Sequence, residues 1–371
     1  MATITVTKKT KQDFGDDYYI ATQWTLIWRK FRKHKVAIAG SVIVILFYLI
    51  AIFCEFFAPQ DPLKRNTQFI NVPPQTIHWV GAKGFGPYVY GLTFKEDPVT
   101  WKKLYVEDPK VQYSISLFVK GDQYKMWNLI PGDIHLFGVK NGPMYLLGSD
   151  ESGRDLLSRI FYGIRVSMSV GLLGVAFTFI FGSVLGAISG YYGGPIDFII
   201  QRVIEFILSM PNIPLWMTLS AAMPKNWSPT QVYFMISLIL SLIGWCGLAR
   251  VVRGKMLEIR EEDFITASRL SGASDFHIIF DHMLPGFISY LIVSITLSIP
   301  SMILAETSLS FLGIGLRAPA ISLGVLLQQA QNIRTIALQP WLMVPGIFIV
   351  IIVMAFNFMG DGLRDAADPY K

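Results

Sequence analysis

Charge is scarce in this sequence of 371 residues. Asp, Glu, Lys and Arg make up 16%, where a soluble domain carries about 25%. The shortage is concentrated. No charged side chain occurs between Arg165 and Asp197, between Lys225 and Arg250, from Met283 to Ala305, or from Thr335 to Gly360. Cysteine is scarcer still: Cys54 and Cys246 both lie inside apolar stretches. That excludes a disulfide framework and leaves no CxxC metal pair, so both read as small packing residues. Histidine is also sparse. His34, His78 and His135 are isolated, and His277 and His282, five apart, are expected on different helical faces, so no metal site is expected. No Ser/His/Asp set or paired-carboxylate pattern stands out. A nucleotide-cradling G-x-x-x-x-G-K-[ST] loop is missing too. Gly254-Lys255 comes nearest, but Met256 follows it and Ala249 stands where the first glycine belongs. Together these absences argue against a soluble enzyme, a disordered chain and a disulfide scaffold.

What is abundant is apolar sequence, 52% of the residues. Uncharged runs of this length cross a hydrocarbon core of ~30 Å as helices. Six spanning helices are expected, at about 36–58, 164–191, 197–223, 231–251, 287–312 and 340–360. The first run, Val36 to Phe57, begins too late for a typical signal peptide. Glu55, Pro59 and Asp61 stand where a cleavage site would be, so the run reads as a retained anchor. Arg29, Lys30, Arg32, Lys33 and Lys35 directly precede it, and Arg250, Arg253, Lys255, Arg260 and Arg269 follow the fourth helix. Basic residues beside helix ends favour the cytoplasmic side. Residues 1–35 are therefore expected as a cytoplasmic tail, and six crossings return the C-terminus to the same side. The loop from Pro224 to Thr230, with Lys225 its one basic residue, then lies outside. Orienting the helix and attracting membrane lipid account for the N-terminal basic cluster, so no nucleic-acid partner is implied.

Residues 59–162 read as an extracellular domain and a pre-core helix, inserted between the first two spanning helices. Prolines from Pro59 to Pro143 punctuate it, and Tyr113 to Val119 alternates polar and apolar positions as a half-buried strand does. An α+β or β-rich domain is expected. Trp79, Trp101 and Trp127 either form its core or line a surface for a sugar or a partner protein. Gly153-Arg154-Asp155 reads as the start of a short helix outside the membrane.

Within the spans, Gly182, Gly186 and Gly190 recur at i, i+4, i+8, a small-residue face that lets another helix approach closely. Arg202 and Glu205 share a face at i, i+3, and Pro211 and Pro214 after them are expected to bend the third helix near mid-membrane. Charges inside a span usually face protein or water. Arg202, Glu205, Pro211 and Glu306 are therefore candidates either for lining a pathway or for structural polar contacts within the bundle.

The loop around residues 252–286 carries the most pattern. Glu261 to Pro285 reads EEDFITASRLSGASDFHIIFDHMLP. It is expected to split at Gly272 into two short helices, the second capped by Ser274. Phe276, Ile279, Phe280 and Met283 fall at i, i+3, i+4, i+7, an apolar stripe that needs the bundle, lipid headgroups or another protein to cover it.

This loop, with Gly272-Ala273-Ser274, Ile279 and His282-Met283-Leu284-Pro285, resembles the cytoplasmic coupling motif of bacterial ABC-importer permeases. LGSDESGRDLLSRIFYGIRVSMSVG, SGYYGGPIDFIIQRVIEFILSMP, ARVVRGKMLEIREEDFITAS, ILAETSLSFLGIG and AFNFMGDGLRDAADP follow the same subfamily in order over residues 147–371. The chain is similar to the C-type permeases of the oligopeptide/dipeptide/nickel group. Two departures stand out. The motif's usual Glu-Ala-Ala is Thr266-Ala267-Ser268 here, so a salt bridge from that glutamate cannot be carried over to Thr266. The domain at 59–146 is also larger than the short linker of many members.

The resemblance implies an all-α polytopic membrane protein of the bacterial or archaeal inner membrane, with a five-helix permease core over residues 163–371. It implies no catalytic role, a heterodimer with a homologous permease, two cytoplasmic ATPase subunits that use ATP and Mg, and an extracellular solute-binding protein. This chain itself would hold no cofactor. Thr266, Ala267, Ser268, Gly272, Ala273, Ser274, Asp275, Ile279, His282 and Pro285 would couple it to the ATPases. Peptides come first as cargo and oligosaccharides second. A membrane-embedded enzyme using Glu205 or Glu306 is the rival from another class.

Overall fold

The computed structural model describes residues 23–81, 84–96, 98, 103–140, 142–224 and 226–367. The first 22 residues of the expected tail, Trp101 and Lys225 lie outside the described residues. In chain order the first elements are α1 (Gln23–Phe31), α2 (Lys35–Ile52), α3 (Cys54–Phe57) and the strands β1 (His78–Gly81), β2 (Gly84–Glu96), β3 (Lys103–Met126) and β4 (Ile130–Val139). Then come α4 (Leu156–Tyr192), α5 (Gly194–Leu208), α6 (Asn212–Ala221), α7 (Pro229–Arg260) and α8 (Asp263–Leu270). The last are α9 (Ile288–Phe311), α10 (Leu323–Gln328), α11 (Ile333–Leu338) and α12 (Val344–Ala367).

Among the described residues five helices are long and apolar enough to cross a membrane, or six if the bent pair α5–α6 counts as one span. The expected third span is the bent one. Its two halves meet at 88°, a sharper break than the expected bend. Pro211 has no N–H to give and sits in extended backbone as the cap of α6 (ψ 131), so helix hydrogen bonding stops before it and restarts after it.

The spans begin and end where capping chemistry allows. Asp155 caps α4, accepting from the Ser158 N–H at 2.8 Å. Ser228 and Gln231 form a capping box on α7, satisfying donors that the first turn leaves open. The helix expected to start at 153–155 proves to be α4 itself, with Asp155 as its cap. That helix runs unbroken for 37 residues, ~55 Å at 1.5 Å per residue. It is longer than the hydrocarbon core is thick, and no break falls at 162/163.

Gly182, Gly186 and Gly190 do share a contact face. Each lies against α7, where Leu248, Ala249, Val252, Arg253 and Met256 come so close that a β-carbon would collide. The main core joins α2, α4, α7, α9, α10 and α12 through Phe47, Ile164, Leu240, Ile303, Leu323 and Phe356. A second core sits at the far end of α4, around Tyr191, Met256, Ile265, Ile278 and Met283.

The domain between the first two spans is an antiparallel sheet in the order β1-β2-β3-β4. The long β3 pairs with β2 through its first half (Glu96 opposite Lys103, Tyr88 opposite Ser114) and with β4 through its second (Ile115 opposite Val139, Met126 opposite Ile130). No helix occurs among the described residues of 59–146, so of the two expectations the β-rich one holds. Val72, Tyr88, Val89 and Tyr145 fill its interior, while Trp79 and Trp127 are exposed and do not form the core. The sheet lies by the start of α4 and the second core by its end, so the two are separated by the length of that helix.

Candidate functional site

The 261–285 loop caps the second core. α8 closes with the Gly272 N–H donating to Arg269 and the Ala273 N–H to Ser268. Gly272 has φ +79, a left-handed conformation that glycine accepts without a β-carbon clash. The chain reverses there, and Ser274 caps the next turn by accepting from the His277 N–H at 3.4 Å. The expected split at Gly272 is thus present.

The expected stripe is not. Residues Ile278–Met283 form a π-helical turn, which widens the spacing from i+4 toward i+5. Ile278, Ile279 and Met283 turn inward, while Phe276 and Phe280 turn outward with their rings 4.3 Å apart. The same widening overturns the expectation for the histidines. His277 and His282 share a face, with ring centroids 5.0 Å apart, and Asp281 lies 2.6 Å from His277.

Of the residues singled out, Thr266, Ala267, Gly272, Ser274, Asp275 and Pro285 are exposed, and Ser268, Ala273 and His282 are half-buried. Ile279 is buried and holds the turn to the bundle from beneath. Leu270 and Phe264 add to Phe276 and Phe280, giving the loop an apolar crown. A partner with an apolar groove would cover it.

Rigid connections run from this crown into the spans. The Tyr191 hydroxyl donates to Asp275 at 2.6 Å and the Tyr192 hydroxyl at 3.1 Å. Both tyrosines end α4. Arg269 lies 5.6 Å from the Tyr191 ring centre, and Arg260 donates to the Tyr191 carbonyl at 3.3 Å. One step inward, Arg253 of α7 holds Asp197 of α5 through two bonds of 2.5 and 2.6 Å, and Ser189 of α4 donates to the same carboxylate. Four segments are clamped together at this end. The sequence reading missed Tyr191, Tyr192, Asp197 and Arg253 as anchors, although three of them stand in or beside the SGYYGGPID run.

The polar candidates inside the spans separate. Arg202 and Glu205 pair at 2.7 Å on a largely exposed face of α5. Pro211 makes the α5–α6 break. Glu306 is fully buried. Ser167 of α4 donates to it at 2.9 Å and Ser310 at 2.8 Å, while the Leu323 N–H donates to Ser167 at 3.1 Å. Glu306 thus ties α4, α9 and α10 together. It does not line the large groove in the bundle, a cavity of ≈ 910 Å³ walled by α7, α9 and the end of α12. Ser289, Ser294, Ser298 and Ser301 give that groove a hydroxyl edge, and Lys255 and Arg364 also reach it. A polar strip of this kind is unfavourable against lipid unless protein or water faces it.

Residues 182–370, just over half the chain, match the family described as binding-protein-dependent transport system inner membrane component. Residues 22–74 match the N-terminal TM domain of oligopeptide transport permease C. The dipeptide transport system permease protein DppC of Bacillus subtilis is 30% identical over 92% of this chain and 84% of its own length. DppC of Haemophilus influenzae is 31% identical over 92% of this chain and 93% of its own length. The oligopeptide transport system permease protein OppC of Bacillus subtilis is 27% identical over 96% of this chain and 93% of its own length. Among solved structures, a chain of the inward-facing MetNI methionine ABC transporter matches 55% of this chain and 94% of its own length. Its sequence is 20% identical and the TM-score is 0.44.

Proposed function

The chain belongs to the family of binding-protein-dependent transport system inner membrane components, and from that premise we propose its part in an importer. It is a multi-pass transport permease subunit and not an enzyme. Our reading is that it forms, with a homologous permease, the pathway for dipeptides or oligopeptides delivered by an extracellular solute-binding protein. Two cytoplasmic ATPase subunits grip the loop around Gly272. The termini then lie in the cytoplasm and the sheet domain outside.

One observation carries this reading: the exposed crown of Leu270, Phe276 and Phe280 is tied through Asp275 to Tyr191 and Tyr192 at the end of α4. A force on the crown is delivered to a 37-residue helix rather than absorbed by a slack loop. ATP supplies the driving energy on the partner subunits, and nucleotide shifts the inward-open and outward-open populations through its different affinity for the two. This chain supplies the lever and one wall of the path. The serine-edged groove on α9 is the wall, and the second permease covers it. Thr266, where the motif has glutamate, makes no ionic contact with the ATPase, so docking rests on the apolar crown and on backbone shape. Arg202–Glu205 and Glu306 serve as structural pairs beside the path.

The test is uptake by the reconstituted complex of both permeases, both ATPases and the binding protein, supplied separately with labelled peptides and labelled oligosaccharides. ATP-dependent peptide uptake is expected. Uptake of sugar alone overturns the substrate, and activity of the isolated chain on a lipid or peptide overturns the class.

A further inference from the structure

The loop joining β3 to β4 is where the sheet domain meets the first spanning helix. The Trp127 indole N–H donates to the Ile52 carbonyl at 3.0 Å, and Ile52 is the last residue of α2. The Trp127 backbone N–H donates to Glu55 at 3.3 Å, and the Arg165 guanidinium sits 4.5 Å from the indole centre. Arg165 is ion-paired with Glu55 in turn. These contacts fix the height of the loop: it lies level with the end of an apolar span. They also hold Trp127 and Asn128 in left-handed backbone, at φ 53 and 59, which a bulky residue adopts only where its surroundings impose it.

The loop nonetheless turns its apolar side chains outward. Leu129 is 81% exposed, Ile130 63% and Trp127 54%. The patch does not stop there. The end of α2, to which Trp127 is bonded, exposes Leu49, Ile52 and Phe53. The apolar surface of the loop is therefore continuous with the outward face of a membrane span. Lys125 stands beside it. Farther up the hairpin Lys120 and Asp133 pair at 2.9 Å, with the lysine side chain 81% exposed. Lys120 stands opposite Ile134, four residues along β4 from the Ile130–Met126 pair and ~13 Å up the hairpin, and its charge marks where the hairpin stands in water.

We propose that the β3–β4 loop is seated in the interfacial layer of the bilayer. Leu129 and Ile130 lie against the upper acyl chains, Trp127 sits at headgroup level, and Lys125 extends toward the lipid phosphates. The sheet domain is then held flush to the membrane by lipid as well as by Trp127 and Arg165. The occupant is lipid because the patch has the height and apolar character of the span it continues.

The test uses the full-length chain in vesicles of phosphatidylethanolamine and phosphatidylglycerol. Cysteines are introduced singly as Leu129→Cys, Ile130→Cys and Lys120→Cys and carry an environment-sensitive fluorophore. The native Cys54 and Cys246 are buried and stay in place. All three positions are exposed, so the variants keep the fold, and the fluorophore reads position whether or not transport is altered. At 129 and 130 emission should shift to the blue and be lost to phosphatidylcholine bearing a nitroxide near the top of its acyl chain. Aqueous iodide should leave it unchanged. At 120 iodide should quench and the nitroxide lipid should not. Iodide quenching at 129 and 130 overturns the proposal, because the loop is then in water. Protection there from both quenchers also overturns it, because another protein surface is then the occupant.

Discussion

Two carboxylates show how single residues set both stability and coupling. Asp155 is buried as the cap of α4, its Oδ2 accepting from the Ser158 N–H and hydroxyl. Burial pushes its carboxyl up to about 6 from an ordinary value of about 3.9. Between those values the folded chain holds more protons than the unfolded one, so stability falls as pH rises from about 4 to about 6 and is level above. Asp155→Asn keeps an acceptor for the cap and should flatten that slope, while Asp155→Ala should flatten it as well and, having lost the cap, lie about 1 kcal/mol below the Asn variant at every pH. Thermal unfolding of the purified protein from pH 4 to 7 reads both, and an unchanged slope in the Asn variant refutes the assignment. Asp275 acts differently. Asp275→Ala frees Tyr191 and Tyr192 from the loop and should remove about 1 kcal/mol of coupling. In the reconstituted complex, uptake per ATP hydrolysed should drop several-fold while assembly is kept. Uptake in proportion to hydrolysis, as in the parent, tells against the lever.

At the scale of elements, the contact between α4 and α7 depends on missing side chains. A β-carbon at Gly186 would stand 2.6 Å from the Ala249 carbonyl oxygen and 2.8 Å from the Val252 β-carbon. Gly186→Val should force the helices apart and cost about 1–3 kcal/mol or more. Gly247→Ala on α7, where nothing lies within 4 Å, should be tolerated. The yield and melting temperature of the purified chain compare the two, and equal behaviour contradicts the packing. This face was readable from the spacing of Gly182, Gly186 and Gly190, as was the reversal at Gly272. The π turn was not, because a pattern of i, i+3, i+4 assumes an α-helix and cannot report an extra residue per turn. That single assumption put Phe276 and Phe280 on one stripe with Ile279 and Met283 and separated His277 from His282. The 88° break at Pro211 was signalled by the proline, but its size follows from an extended cap residue that composition does not disclose.

Across the whole molecule, long uncharged runs made the membrane class plain, and an ordered set of motifs made the family plain. The groove was hidden for the same reason. Ser289, Ser294, Ser298 and Ser301 are uncharged, so they leave an apolar run unbroken in the sequence while giving the folded helix a polar edge. Glu306 announced itself as a charge in a span. Its partner Ser167 lies 139 residues away, and only the fold pairs them. On the proposed reading the molecule is a lever with a wall: a crown at one end of α4, a membrane-seated sheet at the other, and a half-pathway between. The most direct measurement is cross-linking from Phe276→Cys in the reconstituted complex, using a short bifunctional reagent. Cross-linking to an ATPase subunit is the predicted result. Reaction of Phe276→Cys with a membrane-impermeant thiol reagent from outside intact cells, and no link to either ATPase, contradicts the account.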